Sequence, residues 1–305
     1  MLTFIVRRLL QAVVVLWAAA SLAFVLTFLS GDPATLMIGD HWTAEQIVSF
    51  RAYMGFDRPF YIQYLEFMGR LLKGDFGMSV RQQTPVIELI LDRFPNTVEL
   101  ALAAMLVVIV VAVPIGIISA TKRNSLLDNV VMGGALLAQS MPTFWIGIML
   151  ILVFGVHLRW LPISGRQNLS SLILPVITLS AFAVARNARI ARASMLETLS
   201  QDYIRTARSK GLSEKLIVTR HALKNALIPV VTVLGLEIGA LLGGALVTET
   251  VFAWPGVGRL TIEAIYARDY PLVQGVITFL VLIFVIVNLI VDISYAFLDP
   301  RIRLQ

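Results

Sequence analysis

The sequence predicts an all-α, polytopic membrane protein with six transmembrane helices. Three observations lead there. The chain has 305 residues, of which 58% are hydrophobic and only 14% charged, against roughly 25% charged in an ordinary soluble domain. Its apolar residues gather into long runs. Residues 9–30, 100–120, 129–156 and 167–185 hold no ionisable side chain, and 225–248 and 272–298 hold one acid each, Glu237 and Asp292. The runs are continuous rather than alternating, so each reads as about 20 residues of helix crossing a ~30 Å hydrocarbon layer, not as a barrel strand.

The first run follows Arg7 and Arg8. Ala18 to Ser21 resembles a signal-peptide cleavage site, but the apolar run continues to Leu29, which predicts an uncleaved signal anchor with the arginines as cytoplasmic anchors. In segment 31–98, "PFYIQYLEFMGRLLKG" places Pro59 at a helix start and Gly74 at its stop, with Phe60, Tyr61, Tyr64, Leu65, Met68, Leu71 and Leu72 at helical spacing. "TPVIELILDRF" predicts a second short helix with Thr84 as N-cap and Pro85 after it. Both read as amphipathic helices on the outer membrane face or on the bundle. Packing is the plainer role and a docking platform the functional one.

In the third run, "AQSMPTFW" sets Gln139, Ser140 and Pro142 inside the bilayer. A kinked, cavity-lining helix fits, with simple proline packing as the plain alternative. Segment 186–228 reads as helix, break, helix. Met195, Leu196, Leu199, Tyr203 and Ala207 form an apolar stripe, Arg205, Arg208 and Ser209 face elsewhere, Gly211 sits as a C-terminal cap, and Ser213 starts a second helix carrying Leu216, Ile217, Leu223 and Leu227. Pro229 begins or kinks the fifth span. A hairpin continuous with a membrane helix at each end suits a lever. An ordinary positively charged loop, a nucleic-acid-binding helix pair or a lipid-binding surface are its competitors.

Gly235, Gly239 and Gly243 recur every four residues of the fifth span, a close-packing face, with Glu237 roughly opposite. Glu237 faces a cavity or a partner; pathway and structural roles both stay open. Asn288 and Asp292 share a face of the sixth span, and a structural role suits Asp292 near its end. "FAWPGVG" at 252–258 is not regular helix throughout, and irregular backbone near a membrane lines a cavity or faces protein.

Charge orients the chain. One side, holding the N-terminus, 121–128, 186–224 and the tail after 298, carries 15 Lys and Arg against five acids. The other carries 10 against 12. The positive-inside rule puts both termini and the hairpin in the cytoplasm. Cysteine is absent, which excludes disulfides and thiolate metal sites. His41, His157 and His221 are scattered, no Gly-rich phosphate loop occurs, and "GDFG" at 74–77 reads as a turn.

The stretch "QDYIRTARSKGLSEKLIVTRHALKNALIPVV" resembles the cytoplasmic coupling loop of ABC importer permeases, and within them the dipeptide, oligopeptide, glutathione and nickel group. The likeness covers almost the whole chain. "SGDPA", "MGFDRPFYIQY", "KGDFGMS" and "FPNTVEL" are similar to that group's outer segment, "GGALVTETVFAWPGVGRL" and "RDYPLVQG" to its last outer loop, and "FLDPRIR" to its tail. The general importer loop carries Glu-Ala-Ala before its glycine. Here Arg205, Thr206 and Ala207 stand there, and the Ile-Pro pair comes late as Ile228 and Pro229, the peptide-subclass form.

The resemblance implies a type I importer fold: residues 1–30 as tail and first span, 31–98 as an external segment, 99–298 as a five-helix core with coupling loop 186–228 and gate loop 249–271, and 299–305 as a cytoplasmic tail. It implies a bacterial inner membrane location, a homologous second permease, two cytoplasmic ATPase subunits that hold ATP and Mg, an external binding protein, no catalytic residue, and no cofactor on this chain. It assigns ATPase coupling to Asp202, Tyr203, Arg205, Thr206, Ala207, Lys210 and Gly211, and binding-protein contact or gating to Phe252, Trp254, Pro255, Gly256 and Gly258. Gln139, Ser140, Glu237 and Asn288 are the substrate-path candidates. Two other classes compete: a stand-alone secondary transporter, which lacks support from an inverted repeat, and an intramembrane enzyme, which lacks a catalytic cluster. The cargo, whether dipeptide, oligopeptide, glutathione, nickel chelate or opine, is not encoded in these motifs.

Overall fold

The computed structural model describes residues 2–29, 34–35 and 43–298. Most of "SGDPA" and the tail with Arg301 and Arg303 lie outside them. Eleven helices order the described chain: α1 Leu2–Leu29, α2 Ala44–Met54, α3 Phe60–Leu72, α4 Val86–Thr121, α5 Leu126–Ser140, α6 Thr143–His157, α7 Ile173–Leu199, α8 Asp202–Ser209, α9 Leu223–Val251, α10 Val257–Tyr266 and α11 Tyr270–Leu298. Glu214–Leu216 and a π turn at Ile217–Ala222 lead into α9. Five helical stretches are long and apolar enough to cross a membrane, and α5 with α6 makes a sixth when taken together. Large apolar side chains stay exposed along them, among them Leu10, Val13, Leu102, Leu106, Val130 and Leu137. That is the surface expected against lipid, not water.

The chain divides into two compact units. The first holds residues up to 97 and from 255 on. In it α1 lies against α11, and α10 packs on α11. Arg8, at the start of α1, pairs with Asp292, near the end of α11, at 3.1 Å. Gln274, at the start of α11, donates to the Thr27 hydroxyl at 2.7 Å, at the far end of α1. The two helices are therefore antiparallel, with the beginning of α1 beside the end of α11, and Asp292 joins them through its pair with Arg8. Phe67 of α3 stacks on Phe24 of α1, with rings 5.3 Å apart.

Two helices of this unit differ from the sequence expectation. α2, not expected there, opens with a reciprocal capping box between Thr43 and Gln46 and closes at Gly55, φ 73°, a local signature of both helix ends. The expected short helix in "TPVIELILDRF" is instead the start of α4, which runs unbroken through Pro95. Thr84 does not cap it; its hydroxyl donates to the Gln82 carbonyl.

Distant motifs meet here. Buried Asp269, from "RDYP", accepts from the Ser79 hydroxyl at 2.5 Å and from the Arg81 amide at 3.1 Å, beside "GDFGMS". It also accepts from the Leu272 amide at the start of α11. Asn96 of "FPNT" donates to the Pro255 carbonyl, and Thr97 accepts from the Val257 amide, each at 2.8 Å. Asp269→Ala leaves these donors without their acceptor in a buried site. We expect it to lower the stability of purified protein by about 2–3 kcal/mol, read as a drop in thermal midpoint in detergent.

The second unit, residues 98–254, is organised around α7, which touches α4, α5, α6 and α9. Its core includes Leu100, Ala104, Val108, Leu179, Val230 and Trp254. α4 and α7 approach each other closely. A Cβ on Gly116 would lie 2.5 Å from the Ala188 carbonyl oxygen and 2.6 Å from the Ala191 methyl. Small residues let these backbones close up. Gly116→Val should force them apart, at about 1–3 kcal/mol, and reduce the monodisperse peak in size-exclusion chromatography of detergent extracts.

The expected third span is not one kinked helix. α5 and α6 meet at Met141–Pro142 at 107°. Pro142 lacks an amide donor, and Met141 before it is extended, ψ 135°, so the helix stops rather than bends. Pro229, by contrast, is accommodated inside α9. Of the glycine face on α9, the position of a Cβ on Gly243 has nothing within 4 Å among the described residues.

Candidate functional site

The charged hairpin is built on a small apolar base. α7 ends at Leu199, and Ser200 and Gln201 break the helix before α8 begins at Asp202. That break resets the helical phase. Ile204 and Ala207 turn inward and join Ala120, Met195, Ile217, Ala222 and Ala226, with Leu212 packed against them. Tyr203, expected in the buried stripe, is 42% exposed instead, and its hydroxyl accepts from the Asn225 side chain at 2.8 Å, linking the hairpin's arms.

The turn closes by a Schellman arrangement. The Gly211 amide donates to the Arg208 carbonyl at 2.9 Å, and the Leu212 amide to the Ala207 carbonyl at 3.4 Å. Gly211 sits at φ 76°, the left-handed conformation that such a cap requires. Across the turn Arg208 grips Glu214 with two bonds, of 2.6 and 3.2 Å. Ser213 occupies the cap position before Glu214 with no side-chain cap bond. Asp202, Tyr203, Arg205, Thr206, Lys210 and Gly211 are exposed together, while Ala207 is 7% exposed and belongs to the base, not to the presented surface.

Higher on α7 a second polar site forms. Arg186 lies 3.5 Å from Glu237 of α9. Arg189 donates to Gln139 of α5 at 2.7 Å. Arg186, Arg189, Gln139, Met132, Ile190, Arg192 and Ala193 line one open groove. Thus two substrate-path candidates, Gln139 and Glu237, each bond an arginine of α7. Ser140 is exposed and returns its hydroxyl to the Leu136 carbonyl, and Asn288 is half-buried in the other unit.

Near the foot of this groove, Asp128 is 1% exposed. Arg192 donates to both its oxygens, at 2.6 and 2.7 Å, the Asn124 amide donates at 3.0 Å, and the Ser119 hydroxyl donates as well. This cluster joins α4, α5 and α7, and the sequence reading counted Asp128 only as a loop charge. Its signal was Ser125 three residues ahead, a cap that accepts from the Asp128 amide; nothing local marked Arg192 as its partner.

The 252–258 stretch is non-helical at its start, as expected. α9 ends, Ala253 takes φ 48°, and α10 starts at Val257. The turn tucks its rings inward. Phe252 and Trp254 are each 1% exposed, and Gly256 and Gly258 are buried, so a surface made by those side chains is not presented; Ala253 and Pro255 are the partly exposed positions.

Comparison with known proteins places these features in a family. The family described as "Binding-protein-dependent transport system inner membrane component" matches residues 112–304, and "Binding-prot-dependent transport system membrane comp, N-term" matches residues 1–101. The chain is 42% identical over 304 residues to the glutathione transport system permease protein GsiC of Escherichia coli (strain K12), covering 99% of each. It is 39% identical over 336 residues to the dipeptide transport system permease protein DppB of the same strain, again covering 99% of each. Among solved structures, an inward-facing MetNI methionine ABC transporter matches with a TM-score of 0.60 at 18% identity, over 70% of this chain and 97% of that one. The chain is thus a multi-pass membrane protein with the all-α type I permease fold, and it belongs to the binding-protein-dependent transport system inner membrane component family, the permeases of ABC importers.

Proposed function

We propose that this chain is one of two permease subunits of an ATP-driven importer for short peptides. A homologous permease completes the membrane path, two ATPase subunits bind ATP and Mg and engage the hairpin, and an external binding protein delivers cargo. The chain itself supplies no catalytic residue and holds no cofactor. Both ends and the hairpin lie on the cytoplasmic side of the inner membrane, as the charge asymmetry supports.

The observation that carries this reading is the hairpin's two-sided construction. Its polar outer face, from Asp202 to Gly211, is free for a partner, while Ile204, Ala207 and Ile217 seat it on Met195 of α7 and Ala226 of α9. A partner moving the outer face moves two spans together. ATP, bound by the partners, favours one arrangement of the spans over the other and so shifts their population. Short peptides are the cargo class that the dipeptide and glutathione relatives share, glutathione being itself a tripeptide. Nickel chelates and opines fall outside it.

The test is tagged purification from native membranes in mild detergent, with mass spectrometry of co-purifying chains. Recovery of a second permease and ATPase subunits in fixed ratio is the expected result. Recovery of this chain alone, stable and monodisperse, would count against an importer and in favour of a stand-alone carrier.

A further inference from the structure

Arg186 and Arg189 sit deeper than the charge-free runs indicate. Run 167–185 puts them at a membrane border. Yet Arg186 pairs with Glu237, which occupies the middle of the apolar run 225–248. The Arg186 guanidinium is therefore level with the centre of α9, and Arg189 follows one turn further along α7. Charged groups at such depth are costly in hydrocarbon and are kept where they face water or a polar partner. Both are exposed, and both line the groove beside Met132 and Ile190.

The charges facing that groove do not balance. Arg192 is held by both oxygens of Asp128. Arg186 shares Glu237 across 3.5 Å. Arg189 meets a neutral amide, Gln139, and makes no ion pair among the described residues. A guanidinium has five N–H donors in a planar fork that matches a carboxylate, and the bond to Gln139 leaves most of Arg189's unused. One turn away, Arg186 presents a second fork on the same side of α7.

We infer that this groove is an anion-binding station on the translocation path, where Arg189, supported by Arg186, engages carboxylates of the passing peptide. The ligand is an acidic side chain of the peptide, the carboxylate that distinguishes one cargo from another, since every peptide carries a C-terminal one. The inference rests on the importer reading and adds a charge preference that the permease exerts itself. A single excess positive charge in an open, wet groove suits a transient stop, because cargo must also leave.

The experiment uses the whole transporter with its binding protein in proteoliposomes supplied with ATP. Uptake of Ala-Asp, Ala-Ala and Ala-Lys is measured for wild type, Arg189→Lys and Arg189→Glu. Binding-protein affinity for each peptide is measured separately and is common to all variants. Ratios within one preparation cancel differences in assembly. Arg189→Glu should lower uptake of Ala-Asp relative to Ala-Lys by about tenfold, and Arg189→Lys should keep the wild-type ratio. An unchanged ratio in Arg189→Glu overturns the inference while leaving the importer intact. So does an equal fall for all three peptides, the result expected if Arg189 only pairs with an acid of the second permease. Failure of the wild-type assembly to take up any peptide would instead refute the importer reading, and the inference with it.

Discussion

Replacing Gly211 by valine is expected to abolish peptide uptake by the proposed importer while the chain stays in the membrane at the wild-type level. Gly211 holds φ 76° with nothing within 4 Å of where a Cβ would stand. The damage is therefore conformational, not steric. A β-branched residue is a true outlier there, and even an unbranched L-residue loses roughly 1–2 kcal/mol in the left-handed region. The turn escapes that strain by giving up its two closing bonds, to the Arg208 and Ala207 carbonyls. Leu212 then leaves the apolar base, and the Arg208–Glu214 grip across the turn is lost. Span packing does not depend on this exposed turn, so insertion survives. A graded series is the sharper measurement: asparagine, which tolerates this conformation, should transport nearly as wild type, alanine less, and valine not at all. Uptake is normalised to chain level by immunoblot. Wild-type uptake by Gly211→Val would overturn the lever.

How far the sequence could be read depended on whether a residue's neighbour was local. α1, α4, α7, α9 and α11 were legible because lipid demands unbroken apolar helix, and charge-free runs are what that demand leaves in a sequence. Gly211 was legible because a Schellman cap is specified within six residues. The α5–α6 bend was not, since proline reports that a helix is disturbed and not by what angle. Tyr203 was placed in the buried stripe because one helical phase was carried through Ser200 and Gln201, where the chain resets it. The contacts of Asp269 with Ser79 and of Asn96 with Pro255 join segments more than 150 residues apart in the chain, and no spacing rule encodes them. The family resemblance alone assigns Phe252 and Trp254 to binding-protein contact or gating. Their burial follows from the backbone turn at Ala253, which composition does not record.

Asp128→Ala should be among the most damaging single changes in the second unit, at about 3–5 kcal/mol. Its carboxylate is 1% exposed and takes two bonds from Arg192, one from the Asn124 amide and one from the Ser119 hydroxyl. Removing it strands a guanidinium in a partly buried site where no other carboxylate pairs with it among the described residues. The loss exceeds the worth of the pair itself, because desolvation of two charges already offsets much of their attraction. That asymmetry gives the prediction its form. Arg192→Met alone should also be costly, leaving Asp128 buried with only neutral donors. Asp128→Ala combined with Arg192→Met should cost less than either single change, since no charge is then stranded. The cycle is read by thermal midpoints in detergent, with monodispersity as the control. If the double variant is as unstable as the sum of the singles, the two side chains act independently, and Asp128 owes its importance to the Ser119 and Asn124 bonds that hold the turn between α4 and α5. If the coupling appears, the ion pair is what clamps that turn to α7, the helix from which the hairpin hangs.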